Sequence, residues 1–177
     1  MKRIFLALKA ATLQNLRHLF HILMKLTYTI GGWLYKKFLF FFRNITIPSV
    51  LGLLLALSWP SIGFFPLIFF AFVPLLILEK EAITGKQVFW NTFVAFLIFN
   101  VVTTYWVYHA TPIGSFVAFF LNATLMSMPF WLFHKVKTIS TSRMGYITLI
   151  SAWLSMEYLH LNWDLSWPWL ILGNVFA

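Results

Sequence analysis

The sequence predicts an all-α fold: a polytopic membrane bundle of about five transmembrane helices behind an N-terminal amphipathic arm. Three observations carry that expectation. Of the 177 residues, 61% are hydrophobic, 20% aromatic and 10% charged, whereas a soluble domain is roughly 45–50% apolar and about 25% charged. Long uncharged stretches separate the charged residues, and the run from Asn44 to Leu78 holds no ionisable group at all. The thirteen Lys and Arg residues fall in three groups, at 2–43, 80–86 and 135–143.

Residues 1–43 form the first predicted domain, a basic cytoplasmic or interfacial arm. Lys2, Arg3, Lys9, Arg17, Lys25, Lys36, Lys37 and Arg43 stand in it with no acid. Gln14, Arg17, His18, His21 and Lys25 recur at helical spacing, and Leu13, Leu16, Leu19, Phe20 and Leu23 fill the other face. That is the pattern of a helix lying among lipid headgroups. The apolar run Ile4–Leu8 ends at Lys9, too early for the core of a secretory signal.

Residues 44–177 form the second predicted domain. The run from Asn44 to Leu78 is too long for one span of about 20 residues. Pro60, Gly63 and Pro66 interrupt it, so the chain is expected to form spans at about 45–59 and 64–79 with a turn between them. Pro74 is expected to kink the second. A third span is expected at about 87–108, a fourth at about 113–133 with Pro129 near its end, and a fifth at about 144–163. An outer-face aromatic segment, 164–177, follows. With the N-terminus cytoplasmic, this topology puts all three basic groups on one side, as the positive-inside rule demands. Residues after about 163 then lie outside.

The net charge of +9 is thus read as an orientation code, and nucleic acid is not an expected partner. The absence of cysteine excludes disulfides, thiolate metal sites and a cysteine nucleophile within these residues.

Glu157 is the one acid inside a predicted span, and His160 follows on the same helical face. Intramembrane acids are costly and usually functional. One reading is a polar site near the outer face that binds a headgroup or positions a partner domain. The plainer one is a hydrated, partly paired group near the interface. Two ligands at this spacing fall short of the three or four that a metal needs, so no metal and no cofactor are expected. Ser155 and Ser166 are near, but no G-x-S-x-G elbow occurs. Asn91, Asn100, Thr103, Thr104, Asn122, Thr124 and Ser127 are expected to join helices by hydrogen bonds, with a headgroup path as the sharper reading. Trp59, Tyr105, Trp106, Tyr108, Trp163, Trp167 and Trp169 read as an outer aromatic belt.

Specific strings add to this. Leu57-Ser58-Trp59-Pro60-Ser61-Ile62-Gly63-Phe64-Phe65-Pro66-Leu67 with Val73-Pro74-Leu75-Leu76, then Tyr105-Trp106-Val107-Tyr108, resemble the early spans of apolipoprotein N-acyltransferases. Trp153, Glu157-Tyr158-Leu159 and Trp167-Pro168-Trp169-Leu170-x-Leu172-Gly173 are similar to that family's E-x-L-R … F-P-W-x-x-L-G signature. His160 stands where the family usually has arginine, and Trp167 where it usually has phenylalanine. The resemblance runs in order from about 45 to 177.

It implies the N-terminal membrane part of an enzyme of the bacterial inner membrane. That enzyme moves an acyl chain from a phospholipid to the N-terminal diacylglyceryl-cysteine of a lipoprotein. The implied partners are membrane lipids, the phospholipid acyl donor and the lipidated apolipoprotein. The family's Glu-Lys-Cys site lies in a nitrilase-like domain, which would be downstream or separate. No catalytic residue is carried over to this chain, which is expected to be a fragment or truncated product, inactive alone. Glu157, His160, Trp167, Pro168 and Trp169 are the expected substrate-positioning or structural residues. The competing readings are a membrane scaffold, a transporter half, or an intramembrane hydrolase using Glu157 and His160.

Overall fold

A computed structural model describes residue 25, residues 28–163 and residues 168–176. The reading of 1–24, and that of Asp164–Trp167, falls outside the described residues. The chain divides into two compact units, Met1–Phe42 and Arg43–Ala177. In the first, residues 28–41 are helical and exposed, and the Lys37 ammonium sits 4.8 Å over the Trp33 ring.

The second unit is built from helices, and no strand occurs among the described residues. A π-helical turn at Phe42–Thr46 leads into α1, Ile47–Leu57. A turn follows at 58–64, closed by the Gly63 N–H donating to the Trp59 carbonyl at 2.8 Å. Gly63 has φ +86°, the one positive φ among the described residues, and glycine takes that conformation without a Cβ clash. A 3-10 turn at Phe65–Leu67 leads to α2, Ile68–Ala71, and α3, Val73–Glu81. The helix breaks at Phe72, with Pro74 in the first turn of α3, where its missing N–H costs nothing.

Next come α4, Gly85–Thr104, the short α5, Val107–Ala110, α6, Pro112–Ile139, and α7, Ser142–Asn162. Thr84 caps α4 by accepting from the Gln87 N–H, and Thr141 caps α7 by accepting from the Met144 N–H. Both satisfy a first-turn donor that has no helical partner. The 3-10 turns Pro168–Leu170 and Leu172–Phe176 end the described chain.

The protein is thus an all-α membrane bundle. By length and apolar composition, three described helical stretches can cross a membrane: Tyr28–Leu57, Gly85–Thr104 and Pro112–Ile139. The 65–81 segment and α7 pack into the same core but fall below that length or apolarity. Residues 65–81 are split by the break at Phe72 into helices too short to span alone. α7 has the length but carries Arg143, Glu157 and His160. The fourth expected span also runs on past 133 to Ile139, and Pro129 lies buried inside the helix rather than near its end. At 1.5 Å per residue, 28 residues reach about 42 Å, beyond the ~30 Å hydrocarbon core. In the extra turns the Lys135 ammonium lies 5.1 Å over the Trp131 ring.

The core forms where α1, α4, α6 and α7 meet the broken 65–81 segment. Trp153 of α7 lies edge-on to Phe72 at 5.4 Å and 5.7 Å from Phe96 of α4. Phe72 also stacks on Phe130 of α6 at 6.2 Å. Four segments therefore share one aromatic cluster. α1 and α4 approach closely at Gly52, where a Cβ would lie 2.2 Å from the Ala95 carbonyl oxygen. Small residues at crossings are how membrane helices gain contact when lipid is as apolar as leucine.

Candidate functional site

Trp153 connects the core to the site that the sequence singles out. Its Nε1 donates to Glu157 Oε1 at 2.9 Å, one helical turn away. The same oxygen accepts the backbone N–H of Leu172 at 2.8 Å. Glu157 is half-buried, and both donors are neutral. This carboxylate therefore ties the segment 168–176 back onto α7. The segment also braces itself: Asn174 Nδ2 donates to the Pro168 carbonyl at 2.8 Å and to that of Trp169 at 3.2 Å.

Aromatic contacts extend this end of the bundle. Trp169 is exposed and meets Trp106 edge-on at 5.5 Å. Phe176 lies 6.2 Å from Phe65 and 6.1 Å from Phe69. Leu170 and Val175 are buried in the core. Of the expected site residues, Glu157, Pro168 and Trp169 thus belong to one cluster. His160 is buried but makes no hydrogen bond to Glu157, and both its ring nitrogens lack partners. Trp167 lies outside the described residues.

Trp59 corrects the belt reading. It is 6% exposed and packs edge-on against Phe99 at 5.0 Å. The turn at 58–63 folds it inward, with the Trp59 N–H bonded to the Ala56 carbonyl. Tyr105, Trp106 and Tyr108 are exposed.

The expected interhelical bonds form at one point. Asn122 Nδ2 of α6 donates to Asn100 Oδ1 of α4 at 2.6 Å, while Asn100 Nδ2 donates to the Phe96 carbonyl. Thr103, Thr104, Thr124 and Ser127 instead donate to carbonyls of their own helices. Among the described residues, no group of three or more His, Asp or Glu is arranged to hold a metal ion. The Ser155 hydroxyl donates to the Ser151 carbonyl. A groove of about 400 Å³, lined by Phe89, Met128, Trp131 and Leu132, is wholly apolar and offers no reacting group.

A second charged cluster was not foreseen. Glu79, in the last turn of α3, is 3% exposed. Its Oε1 lies 2.8 Å from His134 Nδ1 and its Oε2 accepts from Lys137 Nζ at 2.6 Å. Lys137 Nζ also lies 5.2 Å over the Phe133 ring. Leu75, Leu78 and Glu79 share the buried face of α3, so helical spacing alone would turn Glu79 inward. Partners 55 and 58 positions away leave no such trace.

Comparison with known proteins gives this geometry a context. Residues 51–177 match the family model of the apolipoprotein N-acyltransferase N-terminal domain. The chain belongs to this family. Two curated relatives agree. An apolipoprotein N-acyltransferase of Chlorobaculum tepidum is 31% identical over 132 residues, covering 72% of this chain and 25% of that protein. Apolipoprotein N-acyltransferase 1 of Treponema denticola is 27% identical over 147 residues, covering 78% of this chain and 26% of that protein. The chain spans about a quarter of the length of the curated relatives it matches. No solved structure matches it significantly. The family match contains Glu157, His160 and the 168–176 segment, so the cluster at the end of α7 is part of a membrane domain of this acyltransferase family.

Proposed function

We propose that the chain is the membrane part of an apolipoprotein N-acyltransferase, seated in the bacterial inner membrane. In this reading the N-terminus and the basic groups face the cytoplasm. The Glu157 cluster and the segment after it face the periplasm. The bundle admits a phospholipid from the bilayer and presents it to the reacting groups.

The full reaction has two steps. A thiolate attacks an acyl ester of the phospholipid, forming a thioester and releasing a lysophospholipid. The N-terminal amine of a diacylglyceryl-cysteine lipoprotein then attacks the thioester, forming an amide and returning the thiol. These 177 residues contain no cysteine, so the thiol must come from residues outside them. The task left to this chain is to hold lipid and to hold the segment that leads toward the reacting groups.

One observation carries that assignment: Glu157 fixes the backbone of Leu172 against a helix anchored in the aromatic core. A carboxylate used this way sets the position of whatever is joined to, or packed on, the 168–176 segment. Effective positioning of this kind is worth orders of magnitude in rate.

The test is lipoprotein maturation in cells depleted of their own N-acyltransferase, read by mass spectrometry of a lipoprotein N-terminus. The 177-residue chain alone is expected to leave the N-terminal amine free. The chain fused to the remaining three quarters of the Chlorobaculum tepidum relative is expected to restore the amide. A fusion that folds and inserts but restores nothing would count against the reading. Uptake of a labelled solute by vesicles holding the chain alone would favour a transporter half instead.

A further inference from the structure

The end of α7 concentrates hydrogen-bonding groups that have nothing to bond. His160 is 4% exposed, and neither Nδ1 nor Nε2 has a partner. Trp163 lies one turn on, its ring 5.8 Å from the imidazole and nearly perpendicular to it. The buried Nε1 of Trp163 is unpaired as well. Asn91, in α4, is the other described side chain in this condition. Leaving a buried donor unmet is costly, and hydrocarbon offers no water to relieve it. Three unmet atoms on two touching rings mark a place that a polar group from outside completes.

The chemistry of those atoms restricts the group. An indole N–H only donates. A neutral imidazole donates once and accepts once, and a protonated one donates twice. Together the rings offer two donors and one acceptor when the imidazole is neutral, and three donors and no acceptor when it is protonated, so the complement is a group rich in acceptor oxygens. Glu157 accepts no hydrogen bond from either ring, and its Oε1 is engaged by Trp153 and Leu172. Arg143, at the far end of α7, is 17 residues away along the helix, about 25 Å at 1.5 Å per residue, and does not compete for the ligand. Trp169, exposed and edge-on to Trp106, stands in the segment that Glu157 ties to α7, and the oxygen-rich group native to a membrane interface is a phosphodiester.

We infer that His160 and Trp163 form a docking point for the phosphodiester of a membrane phospholipid. The inference rests on the lipid-presenting reading above for its biological meaning, and it assigns these two side chains as lipid-positioning residues. Binding itself is independent of acyl transfer.

The test is native mass spectrometry of the 177-residue chain with two probes of equal acyl chains. Dioleoylphosphatidylcholine has the phosphodiester and no headgroup N–H; dioleoylglycerol lacks the phosphate. The wild-type chain is expected to retain phosphatidylcholine in preference to the diglyceride. His160→Phe is expected to weaken phosphatidylcholine binding about tenfold, the equivalent of one hydrogen bond to a charged group. Trp163→Phe should weaken it several-fold, and His160→Gln, which keeps a donor, should recover part of the loss. Diglyceride binding should not change.

Equal retention of the two lipids by the wild-type chain overturns the inference, and this arm needs no variant to fold. So does a folded His160→Phe chain that binds phosphatidylcholine as the wild type does. Displacement of the lipid by millimolar inorganic phosphate would overturn the lipid as the source while leaving an anion site. None of these readings involves acylation. Failure of the maturation assay and failure of this one are therefore separate results.

Discussion

Glu79 and Glu157 are both helix-borne carboxylates in a bundle with little charge, and each has a histidine close by in sequence or space. Glu79 is buried, and each of its oxygens meets a basic side chain from α6. Glu157 is half-buried, uses one oxygen for two neutral N–H donors, and leaves His160 unpaired. The first arrangement is closed on itself and joins α3 to α6. The second joins α7 to a segment beyond it and leaves polar atoms over. Saturation marks a clamp, and an unfinished set marks a site.

The largest expected effect tests the clamp. Glu79→Ala strands the Lys137 and His134 side chains near a buried void, and removal of one partner from a buried pair costs about 3–5 kcal/mol. Thermal unfolding in detergent, followed by far-ultraviolet ellipticity, should show a large fall in Tm. A change near that of a surface substitution would mean that water already reaches this cluster.

Gly52→Ala sets a scale free of charge. The added Cβ collides with the Ala95 carbonyl, and overpacking of this kind costs about 1–3 kcal/mol. The same melt should report it. A neutral result would show that α1 and α4 can slide apart.

Glu157→Ala should cost less than Glu79→Ala, about 1–2 kcal/mol for two stranded neutral donors beside solvent. Its sharper readout is local: limited proteolysis after residue 163 should accelerate while the core remains protected. If Glu157→Ala destabilises the chain as much as Glu79→Ala, the contrast between clamp and site collapses.

Asn122→Ala is the smallest. The Asn122–Asn100 bond crosses two helices, and such bonds in membranes average about 0.6 kcal/mol. A loss several times larger would reveal a network wider than this pair.

Local features were legible in the sequence because their causes are local. Pro60 and Gly63 announced the turn after α1, and Pro74 announced the break at Phe72. Glu157 stood out as an acid in an apolar run. The family strings pointed to the membership that the comparison establishes. What escaped depends on distant or main-chain partners. His134 lies just past the expected end of the fourth span, yet α6 and α3 bring it to Glu79 across 55 positions. Trp59 read as an interfacial ring because the pattern cannot tell which way a turn folds its aromatic. The extra turns of α6 past 133 carry His134 and Lys137 to Glu79. The Leu172 N–H had no signature at all, since every residue but proline carries one.

That last point has a consequence for how the segment can vary. A carboxylate that grips a main-chain N–H is blind to the side chain attached to it. Position 172 can drift through many residue types without losing this bond, subject only to how each packs against the bundle. Proline alone erases it, having no proton to offer. The vocabulary permitted at 172 is thus written mostly in shape, and the grammar that holds it in register is written at 157.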